Sequence, residues 1–193
     1  MGSTRLLRMA NAGAVALACL MSGVAAMAEP FDLPRLMQML AASPAGEVSF
    51  TEKKFSSLLS TPVVSSGKLV YRRPDTIEKN IELPRQERYH FTGQNLIVVR
   101  NGAERRIALS SQPLLSAFAA SLRGTLGGDL PLLRNFYELN LQGDEQSWRL
   151  DMIPVDSEIA RYVSRITATG KGGYISQIEV REASGDHSVM QIR

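Results

Sequence analysis

SSGKLVYRRPDTIEKNIELPRQERYHFTGQNLIVVRNGAERRIAL, residues 65–109, is a series of short runs of alternating character broken by Pro and Gly. The clearest run is Thr76 to Leu83, where Ile77, Ile81 and Leu83 share one face and Glu78, Asn80 and Glu82 the other. That is the period of two of a half-buried strand. Gly67, Pro74, Pro84, Gly93 and Gly102 recur at roughly ten-residue intervals, the turn spacing of an antiparallel meander, whereas parallel pairing would need a helix between strands. The stretch therefore predicts a curved antiparallel sheet whose apolar face needs cover from side chains or from a ligand.

Working outward, Glu47 to Phe55 reads as the first strand, with Val48 and Phe50 on one face. An amphipathic helix precedes it: Asp32 as cap, Pro34 in the first turn, and Leu33, Leu36, Met37 and Leu40 at helical spacing, ending before Pro44. Ser56 to Ser66 is a connector containing Leu58, Leu59, Val63 and Val64, which either packs on the sheet or forms an exposed patch for a partner. Beyond residue 109, Ser110 to Gly128 interrupts the strands with a helix capped by Ser111, started by Pro113, striped with Leu114, Leu115, Phe118, Ala119 and Leu122, and ending at Gly124. Asp129 caps a second short helix. The first insertion helix is rich in Ala and Ser, so it reads equally as core cover or as a movable lid.

Strands resume at Phe136–Leu141, Trp148–Ile153, Ser164–Thr169, Ile175–Glu182 and Ser188–Ile192. The GKGG of residues 170–173 lies between two of them and lacks the outer residues of a phosphate loop, so it reads as a hairpin turn. About eleven strands are expected in a single mainly β domain, residues 29–193, with helices at its start and middle.

Residues 1–28 read as an export signal. Arg5 and Arg8 precede an uncharged run from Met9 to Ala25, and Ala26-Met27-Ala28 is a small-x-small cleavage site, so the mature chain is expected to begin at Glu29. A rival is acylation of Cys19, but Ala16 stands where a lipoprotein signal usually has Leu. The whole chain carries 22 basic and 19 acidic side chains; removing residues 1–28 takes away two Arg and no acid, leaving 20 against 19. A nearly neutral chain without a basic cluster interleaved with aromatics argues against nucleic acid as a partner. Losing Cys19, the one cysteine, leaves neither disulfides nor thiol catalysis. His90 and His187 are far apart in sequence, and no nucleophile elbow or paired-carboxylate pattern appears. An enzyme is therefore the least expected class, and no cofactor or metal is called for.

The segments FTEKKF (residues 50–55), SGKLVYRRPDTIEKNIELP (66–84) and GQNLIVV (93–99) together resemble the periplasmic lipoprotein carriers of the LolA type. The resemblance implies an unclosed β-barrel with a helical lid, which takes acylated proteins from an inner-membrane donor to an outer-membrane acceptor. Arg73, before Pro74, matches the family arginine that fastens the lid in the empty carrier. Ile77 and Lys79 stand where the family usually has two aromatic residues. The resulting expectation is a monomeric periplasmic carrier that shields the acyl chains of a lipoprotein or lipid. The alternative is a periplasmic sensor or adaptor that uses the same half-barrel, with Leu58 to Val64 as the contact. The ligand cavity is expected between Phe50, Leu69, Tyr71, Ile77 and Ile81 of the sheet and Leu115, Phe118 and Leu122 of the inserted helix, with Ala119 facing it.

Overall fold

The computed structural model describes residues 30–193; the export signal, its cleavage after Ala28 and Cys19 lie outside the described residues. Eleven strands form one antiparallel sheet in the order β6-β5-β4-β3-β2-β1-β11-β10-β9-β8-β7. They are β1 (Gly46–Phe55), β2 (Val63–Arg72), β3 (Thr76–Leu83), β4 (Glu87–Thr92), β5 (Asn95–Arg100), β6 (Ala103–Ala108), β7 (Tyr137–Asp144), β8 (Ser147–Pro154), β9 (Val163–Lys171), β10 (Tyr174–Glu182) and β11 (His187–Ile192). β6 and β7 remain the two edges, so the sheet curves without closing. The last strand returns to the first, pairing Phe50 with Ile192 and Glu52 with Met190. That pairing joins the N-terminal meander to the C-terminal hairpins.

Among the described residues four α-helices accompany the sheet: α1 (Leu33–Ala42), α2 (Pro113–Gly127), α3 (Leu130–Arg134) and α4 (Ser157–Ala160). Asp32 caps α1 by accepting from the Arg35 N–H at 2.9 Å, and Asp129 does the same for Leu132 in α3. α2 differs from expectation at both ends. Gln112, not Ser111, occupies its cap position, with no side-chain cap bond, because the Ser111 hydroxyl donates backward to the Ala108 carbonyl. Gly124 does not end the helix. A Cβ there would lie 2.4 Å from Leu133 Cγ, so this glycine admits α3, and the helix stops instead at Gly128, φ +69°. The connector after β1 is also shorter than expected, because Val63–Ser66 already pairs with Thr51–Lys54. α4, too short to announce itself by periodicity, is held by Asp156 accepting from Glu158 and Ile159.

Large side chains close the sheet on one side: Leu36, Leu133, Trp148, Leu150 and Met152 are all nearly inaccessible. Trp148 donates from its ring N–H to the Gly172 carbonyl at 2.8 Å. The GKGG turn fits both neighbours closely: a Cβ on Gly170 would lie 2.4 Å from the indole, and one on Gly173 2.2 Å from the Met39 carbonyl of α1.

Candidate ligand cavity

Alternation along β1–β4 and β10–β11 sends every second side chain to the concave face under α2. Two neighbouring spaces open there. One, about 330 Å³, lies between Ile81, Phe91 and Leu96 of the meander, Val180 and Met190 of the C-terminal strands, and Leu115 and Phe118 of α2. The other, about 250 Å³, is bounded by Tyr71, Val48, Ile192, Leu126 and the end of α1 at Leu40 and Ser43. Leu69, Ile77, Leu122 and Ile178 line both. Both spaces are partly open to solvent and walled mainly by apolar side chains, a shape that can admit an apolar guest.

Of the residues expected to enclose a cavity, Leu69, Tyr71, Ile77, Ile81, Leu115, Phe118 and Leu122 line one or both spaces. Phe50 and Ala119 line neither. Phe50 is buried at 3% exposure beneath the Lys79 ammonium, which sits 5.2 Å from its ring centre. Ala119 is buried in the small packed cluster that α2 makes with the sheet, which also holds Tyr71, Ile77 and Phe91. Ile178, Val180 and Met190 were not anticipated as wall residues. They alternate on their own strands, but only the β1–β11 pairing brings them opposite the meander.

Two arginines fasten the helices over the concave side. Arg73 donates to the carbonyls of Ala41 and of Ser43, the latter at 2.6 Å, so it holds the end of α1. Its guanidinium also lies 5.6 Å from the centre of the Tyr71 ring. α2 is tied by its own Arg123, which donates to the carbonyl of Asp75 at 3.2 Å and to that of Gly93 at 2.6 Å. Nothing in the local pattern singles out Arg123, because its acceptors are backbone oxygens in two distant turns.

At the rim of the larger cavity Tyr89 donates to Glu87 Oε2 at 2.6 Å, and Arg100 donates to the same oxygen and to the Tyr89 hydroxyl, both at 2.9 Å. The bond from Tyr89, with help from Arg100, holds the Glu87 carboxyl below its ordinary range despite its partial burial. Burial pushes the Tyr89 phenol up. His90 lies 3.8 Å from Glu78 and His187 stacks on Phe55 at 4.5 Å. Among the described residues no group of His, Cys, Asp and Glu is placed to hold a metal.

The family model described as "Outer membrane lipoprotein carrier protein LolA-like" matches residues 25–191. The chain belongs to this LolA-like family. Its unclosed eleven-stranded sheet with helices is the LolA-like fold. A LolA superfamily protein from Nitrosomonas europaea is 12% identical, covers 83% of this LolA-like chain and 89% of its own, and superposes with a TM-score of 0.47. The lipoprotein LppX from Mycobacterium tuberculosis is 11% identical, with 83% and 93% covered and a TM-score of 0.42. The MucA/MucB complex of Pseudomonas aeruginosa gives 12% identity, 84% and 56% covered, and 0.43. No curated protein matches the LolA-like sequence.

Proposed function

We propose that this chain is an exported periplasmic carrier that shelters acyl chains of a lipoprotein or lipid on its concave face and delivers them toward the outer membrane. The observation that supports this reading is the pair of apolar spaces sharing Leu69, Ile77, Leu122 and Ile178, in a chain whose family is named for carriers. Burial returns ~0.8 kcal/mol per methylene, so a sheltered acyl chain can offset the hydrogen bonds that Arg73 and Arg123 make with backbone carbonyls. Loading then needs no nucleotide or catalytic group in this chain, and we assign it neither enzymatic activity nor a cofactor. A donor in the inner membrane and an acceptor in the outer membrane are the partners this role requires. The test is mass spectrometry of lipid that co-purifies with the mature protein from the periplasm. Stoichiometric acyl species support the carrier, and protein free of lipid that also binds no long-chain acyl probe rejects it. Intact mass in the same experiment checks the start at Glu29 against an acylated start at Cys19.

A second reading, a sensor or adaptor that binds protein, is favoured by one feature: Leu58 is 90% exposed, and Leu59, Val63 and Val64 beside it are about half exposed. A stoichiometric protein complex formed without lipid and lost on Leu58→Ser would favour it.

A further inference from the structure

Among the described residues lining the larger cavity, the only charged ones are Glu52 and Lys79. Lys79 Nζ donates to Glu52 Oε2 at 2.6 Å, with the two side chains only 22% and 19% exposed. Register explains why they meet. Lys79 is opposite Leu69, and Glu52 opposite Ser65, two alternations further along the same β1–β2–β3 face. Both therefore point to the concave side with Ile77 and Ile81. Ser65 Oγ, at 3.5 Å, is the other polar contact of Glu52, and the Phe50 ring lies under the ammonium. An ammonium has three donors; one goes to Glu52, one side faces the aromatic ring, and the remainder is available to the cavity.

Folding does not explain this pair. Taking two charges out of water costs about as much as their attraction returns, and apolar residues of similar size in their place are often neutral or stabilising. A cation half-desolvated beside an apolar space instead makes strong charge-assisted hydrogen bonds to an oxyanion.

Resting on the carrier reading, we propose that the larger cavity takes acyl lipids with an oxyanion head, a carboxylate or a phosphate, and that Lys79 binds that head while Glu52 holds the ammonium in place until the ligand arrives. The chain then prefers a fatty acid or an anionic phospholipid over the uncharged acyl-glyceryl group of a lipoprotein. Glu52 competes with the ligand for Lys79, which gives the two residues opposite signs.

The test measures binding of a fluorescent long-chain fatty acid and of its methyl ester to the mature protein at pH 8. The wild type is expected to bind the acid at least tenfold more tightly. Lys79→Met should abolish that gap with ester binding retained, and Glu52→Gln should tighten acid binding severalfold. Because Lys79→Met strands Glu52, the double variant Glu52→Gln/Lys79→Met serves as the check on folding, and it too should lose the gap. Displacement by palmitate or by lysophosphatidylglycerol identifies the head as carboxylate or phosphate. Equal binding of acid and ester by the wild type, or a gap that survives in the double variant, overturns the oxyanion site and leaves the carrier standing. Binding of neither probe overturns both.

Discussion

Around β7 to β9 the concave face is closed by Leu36, Leu133, Trp148, Leu150 and Met152, each at most 2% exposed, whereas across β1 to β5 and β10 to β11 the same face, under α2, keeps two apolar spaces. The sheet is continuous through both regions, so the difference lies in what covers it. The closed region receives α1, α3 and α4, whose Leu36, Leu133 and Ile159 reach into it. The open region is covered mainly by α2, with the end of α1 at its margin, and the residues that α2 buries fully are Ala117, Ala119, Ala120, Ser121, Gly124 and Thr125. Such small side chains bring the helix backbone close without filling the hollow. Its large residues Leu115, Phe118 and Leu122 remain half-buried and form cavity wall. One half of the molecule is thus filled by large side chains, and the other leaves apolar surface uncovered.

Truncation should separate the halves most strongly. Leu150→Ala, at 0% exposure, is expected to cost about 2–5 kcal/mol, whereas Leu69→Ala in the cavity wall should cost about 1 kcal/mol or less, as read from urea unfolding. Equal losses would mean that the cavity wall is packed core.

Alkaline pH probes the seam where α2 meets the closed half. The buried Tyr137 hydroxyl donates to the Ala117 carbonyl at 2.7 Å, and burial pushes its phenol from 10.0 up to about 12. Folding favours the neutral form, so this stability is fully present below the unfolded value of 10.0 and is lost as pH rises toward about 12. The loss is about 2–3 kcal/mol. Unfolding of Tyr137→Phe across that window should lack this component; an identical pH profile in the two proteins would deny that the hydroxyl is buried and bonded.

Gly170→Ala comes next, because its Cβ would lie 2.1 Å from the Tyr174 carbonyl and 2.4 Å from the Trp148 ring. Overpacking there should cost about 1–3 kcal/mol. The smallest effect belongs to the open half. Arg123→Met removes two bonds from α2 to Asp75 and Gly93 and should cost about 1 kcal/mol, seen as faster hydrogen exchange confined to residues 113–127. Uniform acceleration through the whole chain would make α2 part of the global folding unit.

Much of this contrast was legible in the residues. The alternation of Ile77 and Ile81, the cap at Asp32, and the stripe of Leu115, Phe118 and Leu122 are local signals, and the structure uses each of them. What was hidden depends on pairing over long separations. Phe50 has the right face for the cavity, but nothing nearby in sequence shows that Lys79 lies over its ring. Ile178 and Met190 became wall only when β11 docked on β1. Gly124 looked like a helix end because a packing glycine and a terminating glycine are the same letter, and Leu133, which decides between them, lies nine residues further on.

Leu122 lines both spaces and is the residue through which the proposed guest binding is most directly examined. Titration of a fluorescent long-chain acyl probe into wild-type protein and Leu122→Trp, with thermal unfolding of both, is the decisive measurement. Saturable binding by the wild type, reduced at least tenfold in the variant with an unchanged melting temperature, is the outcome expected of an open cavity. No binding by the wild type, together with strong destabilisation of Leu122→Trp, would show that the space beneath α2 is core.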